Sequence, residues 1–222
     1  MIWLIIFVLF LLLLGVLFYA SYSISSGVYL KALCKLKTTG KVVALTYDDG
    51  PESSSTPQVL DVLKKHNVQA CFFCIGQKAE QSPEIIKRIV AEGHLLGNHS
   101  YLHESKFPLY SKKKMTEDLL KAQRVLEDIS GKQINLFRPP FGVTNPTIRS
   151  VIKKTGWDTI GWSLRSFDTQ AQTADETLER IKKKLKPQNI ILLHDRMPFA
   201  AELTDKLLIY LKGNGWEVRN IK

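Results

Sequence analysis

From Lys41 onward, short β-rich apolar runs alternate with amphipathic stretches of helical period. This alternation restricts the fold more than any other feature of the chain. Strands are predicted at 42–47, 69–75, 94–97, 134–138, 158–164, 189–194 and 216–220. Helices are predicted at 56–66, from Ser82-Pro83-Glu84 to Gly93, at 115–129, from Asn145-Pro146 to Gly156, at 175–185 and at 200–212. Ser82 and Asn145 stand at N-cap positions with Pro at the first helical position, and Gly93 and Gly156 follow the last turns. Such regular alternation implies parallel strands joined by right-handed crossovers. About seven strands suit a barrel-like α/β fold or an open doubly wound sheet.

Parallel strands bring their carboxyl ends to one face, and the reactive side chains fall at those ends. Asp48 and Asp49 follow the first strand, Asn98-His99 the third and Arg138 the fourth. Asp168 lies past the fifth, and His194-Asp195 closes the sixth. Taken singly, each has an ordinary structural reading. Asp48-Asp49-Gly50-Pro51 is also a polar turn. His99 and His103, four residues apart, share a face if they sit on a helical turn, with or without a metal. Arg138-Pro139-Pro140-Phe141-Gly142 also reads as a rigid loop entry, and His194 as a core histidine. Trp162 and Trp216 are more often core than ligand platforms. Their convergence on one face carries the argument: together they hold what metal-assisted hydrolysis needs.

The 31 Lys+Arg against 21 Asp+Glu give a net charge of +10. The basic residues are scattered, apart from Lys112-Lys113-Lys114 and Lys182-Lys183-Lys184, and no nucleic-acid-reading motif accompanies them. Nucleic acid is therefore not an expected partner; an anionic envelope is compatible with the charge. Three cysteines argue against a disulfide framework. Cys71 and Cys74 have CxxC spacing inside a predicted strand, where residues three apart face opposite ways, so they read as small buried hydrophobes.

Ile2 to Ala20 carries no charge and is about long enough to cross a bilayer. It lacks a basic start, and Phe18-Tyr19-Ala20 is a poor cleavage site, so it reads as an uncleaved single-pass anchor in the inner (cell) membrane. Lys31, Lys35 and Lys37 follow the span and nothing basic precedes it, which by charge alone would leave the domain in the cytoplasm. The expected organisation is an anchor over 1–22, a Ser- and Lys-containing tether over 23–40 and a catalytic domain over 41–222.

The ordered motifs Thr46-Tyr47-Asp48-Asp49-Gly50, His99-Ser100-Tyr101-Leu102-His103, Arg138-Pro139-Pro140-Phe141-Gly142, Ser163-Leu164-Arg165-Ser166-Phe167-Asp168-Thr169 and Leu192-Leu193-His194 resemble those of the polysaccharide deacetylase family, the NodB-homology or carbohydrate esterase family 4 domain. The resemblance implies a distorted (β/α) barrel. It implies that Asp49, His99 and His103 hold a divalent metal, with zinc suited to the ligand set. Asp48 would be the general base, His194 the general acid, Arg138 the residue that holds Asp48, and Asp168 the partner of His194. The Phe141 N–H would hold the oxyanion, and Pro140, Phe141, Trp162 and Leu192 would contact the sugar. Arg165 and Thr169 depart from the family pattern, which bears on the anchoring of Arg138 and on a pocket wall. The activity implied is removal of N-acetyl groups from an N-acetylglucosamine polymer, most plausibly peptidoglycan, by a domain outside the membrane. O-acetyl esterase activity on a xylan-like glycan, or non-catalytic glycan binding, are the alternatives on the same fold.

Overall fold

The structure is a computed structural model that describes residues 1–221. It opens with α1, Ile2–Tyr22, a helix of 21 residues that is exposed along its length until Ala20, which is buried, and Ser21, which is half-buried. By length and composition α1 is a candidate membrane span.

The rest is a half-barrel of parallel strands wrapped by helices. In chain order come β1 (Val42–Gly50), α2 (Thr56–His66), β2 (Cys71–Cys74), α3 (Gly76–Gln81), α4 (Pro83–Ala91), β3 (Leu95–Asn98), α5 (Lys112–Ser130), β4 (Leu136–Phe137), α6 (Pro146–Thr155), β5 (Asp158–Thr159), β6 (Leu164–Arg165), α7 (Ala174–Lys184), β7 (Ile190–His194), α8 (Ala200–Gly213) and β8 (Glu217–Val218). The sheet order is β5-β4-β3-β2-β1-β7-β6, with β8 beside the start of β1. Every named pair is parallel.

Strand alternation sorts β1 between two environments. Val43, Leu45 and Tyr47 face the helical layer with Phe72, Cys74 and the apolar faces of α2 and α8. Val42 and Ala44 face the barrel interior with Cys71, Phe73 and Ile190. Cys71 and Cys74 thus lie on opposite faces as buried cysteines.

Two expectations change. The predicted strand 158–164 is broken: Ile160, Gly161 and Trp162 separate β5 from β6. The carbonyl oxygens of Ile160 and Gly161 accept hydrogen bonds from the Arg138 guanidinium. The segment expected to be a free tether instead packs on the domain. Leu33 pairs with Ile160, its N–H donating to Thr159 O while Gly161 N–H donates to Leu33 O. Lys35 bridges to Asn189, which precedes β7, and Ile24 and Leu36 are buried. Residues 33–36 thereby connect the β5 edge to the chain entering β7. The Lys residues had suggested a solvated linker, but Leu30, Leu33 and Leu36 between them find apolar partners.

Candidate active site

The β1 strand delivers both carboxylates to one cleft through a bulge. Asp48 pairs with Phe73 and Gly50 with Cys74, leaving Asp49 unpaired with φ 71°. On a regular strand adjacent side chains diverge; the bulge re-aims Asp49 so that both carboxylates line the cavity.

The two histidines are also placed by unusual backbone. Residues 99–103 are not helical; Ser100 and His103 have φ of 68° and 52°. This corrects the helical-turn expectation for the HxxxH spacing. The loop is held from outside: Asp118, on α5, accepts from the N–H groups of Tyr101 and Leu102, and Asn98 accepts from Ser100 N–H. With Phe141 and Phe167 also left-handed, such residues concentrate around the cleft, where tertiary contacts sustain backbone that propensity disfavours.

Asp49 Oδ1 lies 3.5 Å from His99 Nε2 and 3.4 Å from His103 Nε2. The donor atoms of Asp49, His99 and His103 all lie within 4.8 Å of one another. Two ligands each about 2.0–2.1 Å from a tetrahedral metal are about 3.4 Å apart, so the spacing suits one cation. The chemistry agrees. His99 Nδ1 donates to Arg138 O at 2.8 Å, which leaves Nε2 with its lone pair toward the cleft. His103 Nε2 is buried with no hydrogen-bond partner among the described residues, as a ligand nitrogen would be. Burial, then the neighbouring His99, lowers the pKa of His103 to about 4, which keeps it a neutral donor at neutral pH. Burial opposes ionisation of Asp49, but hydrogen bonding and charge from His99, with His103 and His194, hold its carboxyl far below the usual range.

Asp48 stands beside this triad, its Oδ2 3.7 Å from His99 Nε2. Arg138 is fully buried and reaches it from the end of β4. The guanidinium donates to Asp48 Oδ1 at 2.7 Å, to Thr46 Oγ1 at 2.8 Å, and to the carbonyls of Ile160 and Gly161, with its face 4.1 Å from the Phe73 ring centre. Arg165 is not one of these anchors; it lies on the cleft rim with its guanidinium over the Phe167 ring.

On the other side, His194 at the end of β7 is bound by Asp168, which accepts at 2.8 Å from ring Nδ1 and at 2.7 Å from the backbone N–H. Burial disfavours the imidazolium, but the Asp168 hydrogen bond and charge, aided by Asp48 and Asp49, raise the His194 pKa above its ordinary value. Nε2 is left on the cleft side, 3.9 Å from Asp49 Oδ2.

These groups open on a cavity of about 500 Å³. Phe141, Trp162, Leu192 and Thr169 line it; Pro140 is buried and does not. Gly142, with φ 68°, lies so close to Trp162 that an added Cβ would meet the ring at 2.4 Å. Sequence reasoning missed Arg196 and Lys78, and placed Asp195 at a strand end without giving it a role. Arg196 donates to Asp49 Oδ2 at 2.9 Å. Lys78, from α3, lines the cavity. Asp195 lies buried beneath Gly50. Arg196 and Asp195 follow His194 directly, so their position at a strand end was the available signal; α3 was not predicted at all.

The sequence profile of the polysaccharide deacetylase family matches residues 35–160. The peptidoglycan-N-acetylglucosamine deacetylase PgdA of Listeria monocytogenes is 36% identical over 179 residues, 81% of this chain and 38% of that protein. The chain thus spans well under half the length of that relative. The structure of PdaA from Bacillus subtilis, a family 4 carbohydrate esterase, superposes with a TM-score of 0.78 at 33% identity, covering 86% of this chain and 82% of that one. A CE4 family pseudoenzyme from Bacillus anthracis superposes with a TM-score of 0.79 at 28% identity, covering 86% and 67%. With the family profile covering more than half of its length, this chain belongs to the polysaccharide deacetylase family.

Proposed function

We propose that this protein is a metal-dependent hydrolase that removes N-acetyl groups from an N-acetylglucosamine-containing glycan, with peptidoglycan as the substrate. The observation that carries the reading is one cleft holding the Asp49–His99–His103 donor set between the Asp48–Arg138 pair and the His194–Asp168 pair. A bound divalent cation, zinc by the nitrogen-and-oxygen donor set, would supply Lewis acidity at the acetyl carbonyl. Asp48, oriented by Arg138, accepts the proton of the attacking water. The Phe141 N–H donates to the developing oxyanion. His194, whose imidazolium form the Asp168 contact favours, donates from Nε2 to the departing nitrogen. An amine leaves poorly without that proton, so a histidine with a raised pKa suits amide cleavage. Phe141, Trp162 and Leu192 offer apolar surface to a sugar ring.

The pseudoenzyme relative makes a non-catalytic role the relevant contrast. The complete set of metal donors, base and acid in this chain favours catalysis.

We further propose that α1 anchors the domain in the cell membrane, with the domain on the outer side where such a polymer lies. Ala20, in the last turn of α1, is fully buried, and Thr144 donates to Ala20 O and Ser21 O. An apolar helix whose last turn is part of the folded domain suits a retained anchor.

The test is acetate release by the full chain in detergent, stripped of metal and reloaded with zinc. Substrates would be N-acetylglucosamine oligomers, peptidoglycan and acetylated xylan. Metal-dependent acetate from the first two is expected. Release from xylan alone would make the protein an O-acetyl esterase, and no release from any of them would make it a binding protein.

A further inference from the structure

The end of α1 and a basic loop are tied together by hydrogen bonds from two adjacent residues. Thr144 holds the end of α1 through Ala20 O at 3.1 Å and Ser21 O at 2.9 Å. Its neighbour Asn145 donates through Nδ2 to Pro108 O at 2.7 Å. Pro108 belongs to a short 3-10 turn, Phe107–Leu109, between the His103 loop and α5. Phe107 and Tyr110 are buried and pin this turn, while Leu109 between them is 84% exposed. Around Leu109 stand four lysines, Lys106, Lys112, Lys113 and Lys114, all exposed. Among the described residues only Lys114 has an acidic partner, Glu104 at 3.6 Å.

An exposed leucine among lysines, three of which make no ion pair among the described residues, has a cost in water and a use at a membrane surface. The apolar side chain enters the boundary between headgroups and acyl chains, and the lysines are attracted to anionic lipid. The distances place this loop at that level. The Ile2–Ala20 stretch of α1 is about 29 Å long at 1.5 Å per residue, matching a bilayer core, so Ser21 stands at the interface. Thr144 is in hydrogen-bond contact with it, and the turn is one residue further on.

On the reading of α1 as a membrane anchor, we infer that Leu109 with Lys106, Lys112 and Lys113 forms a second membrane contact. This contact seats the domain on the anionic phospholipid surface of the bilayer that α1 enters. The cleft is carried to the same level. Phe141 is three residues from Thr144, hence within about 11 Å of it, and Ser105 beside Lys106 lines the cavity. The enzyme is therefore oriented at the bilayer rather than swinging on a leash, and glycan next to the membrane is what its cleft meets.

Amide hydrogen exchange on the full chain in nanodiscs tests this. Discs of phosphatidylcholine alone would be compared with discs of equal parts phosphatidylcholine and phosphatidylglycerol. Exchange over 106–113 should slow by about tenfold in the anionic discs, and the slowing should vanish in Lys106→Glu/Lys112→Glu/Lys113→Glu and weaken in Leu109→Asp. Exchange within α1 reports anchoring independently. A protected α1 with identical 106–113 exchange in both discs would overturn the loop contact alone. An unprotected α1 would overturn the anchor and the contact with it. Slowing by soluble polyphosphate but not by phosphatidylglycerol would reassign the patch to an anionic polymer and overturn the membrane contact.

Discussion

Arg138 Nη1 donates to Asp48 Oδ1 at 2.7 Å, with the Arg138 side chain fully buried and the Asp48 side chain 5% exposed toward the cleft. Among the described residues the guanidinium has no acidic ion-pair partner besides Asp48, and its other bonds go to Thr46 and to the carbonyls of Ile160 and Gly161. A planar five-donor fork is the side chain able to satisfy acceptors in so many directions at once. Removing it would leave a carboxylate buried beside three orphaned acceptors. Arg138→Met should therefore lose about 3–5 kcal/mol of stability in chemical denaturation, together with at least a hundredfold in kcat. A variant as stable as the parent would mean that the pair is solvated or dispensable.

The two adjacent aspartates should separate cleanly by assay. Asp48 faces Arg138, whereas Asp49 faces His99 and His103. Asp48→Asn should bind one zinc as the parent does and lose about 10²–10⁴ in kcat. His103→Ala should fail to retain zinc on dialysis. Unchanged metal content in His103→Ala would take His103 out of the donor set, and retained turnover in Asp48→Asn would take Asp48 out of the base role.

The His194–Asp168 pair sets a direction for pH. Burial works against the imidazolium, but the Asp168 contact outweighs it and raises the His194 pKa. A group that must donate a proton is active below its pKa, so the alkaline limb of kcat/KM should lie above the ordinary histidine value of about 6.5. In Asp168→Asn that limb should move to lower pH and kcat should fall. The pair's contribution to stability has the same sign: it is complete below the unfolded-state pKa and is lost as pH rises through the raised one. An alkaline limb unmoved by Asp168→Asn would show that another group donates the proton.

Much of this architecture is legible in the sequence because parallel βα alternation is a strong local pattern with a forced consequence. Once strands 42–47, 134–138 and 189–194 are read as parallel, Asp48, Arg138 and His194 must share a face. What escapes is whatever depends on single backbone angles. A strand period assigns Asp48 and Asp49 to opposite faces, and only the bulge with Asp49 at φ 71° brings them together. Spacing alone suggested a helical turn for His99 and His103, whereas the loop depends on Asp118, far along the chain on α5. The packing within residues 23–40 was hidden by their lysines, since Leu30, Leu33 and Leu36 recur every third residue and so do not show the alternation of a strand.

That segment carries its own prediction. Leu33 extends the sheet beside Ile160, and Ile24 and Leu36 are buried, as is Gly161, whose carbonyl supports Arg138. An added Cβ on Gly161 would meet Cys34 Sγ at 2.5 Å, so the two strands are in close contact. A soluble chain beginning at Thr38 should be less stable than one beginning at Ser21 by several kcal/mol, at about 1.5–3 per buried aliphatic side chain. It should also turn over more slowly through its loosened Arg138. Equal unfolding midpoints for the two chains would return residues 21–37 to the role of a passive linker.

Asp195 offers a test independent of turnover. Its carboxyl is fully buried; Oδ2 accepts from Thr56 Oγ1 at 2.6 Å, while Oδ1 has no hydrogen-bond partner among the described residues. Burial, with the Asp49 charge adding and the Thr56 bond opposing, pushes its pKa up to about 7. The unfolded chain releases this proton near pH 4, so between those values the folded state holds a proton that the unfolded state has lost. Stability must then fall as pH rises from about 4 to 7, and above that range the folded protein carries an unpaired buried carboxylate. Asp195→Asn keeps an oxygen for Thr56 and removes the ionisation. In metal-free protein the variant should gain on the order of 2–4 kcal/mol over the parent at pH 8, with the difference shrinking toward zero near pH 4. A difference that does not change between those two pH values would show that Asp195 does not titrate on folding.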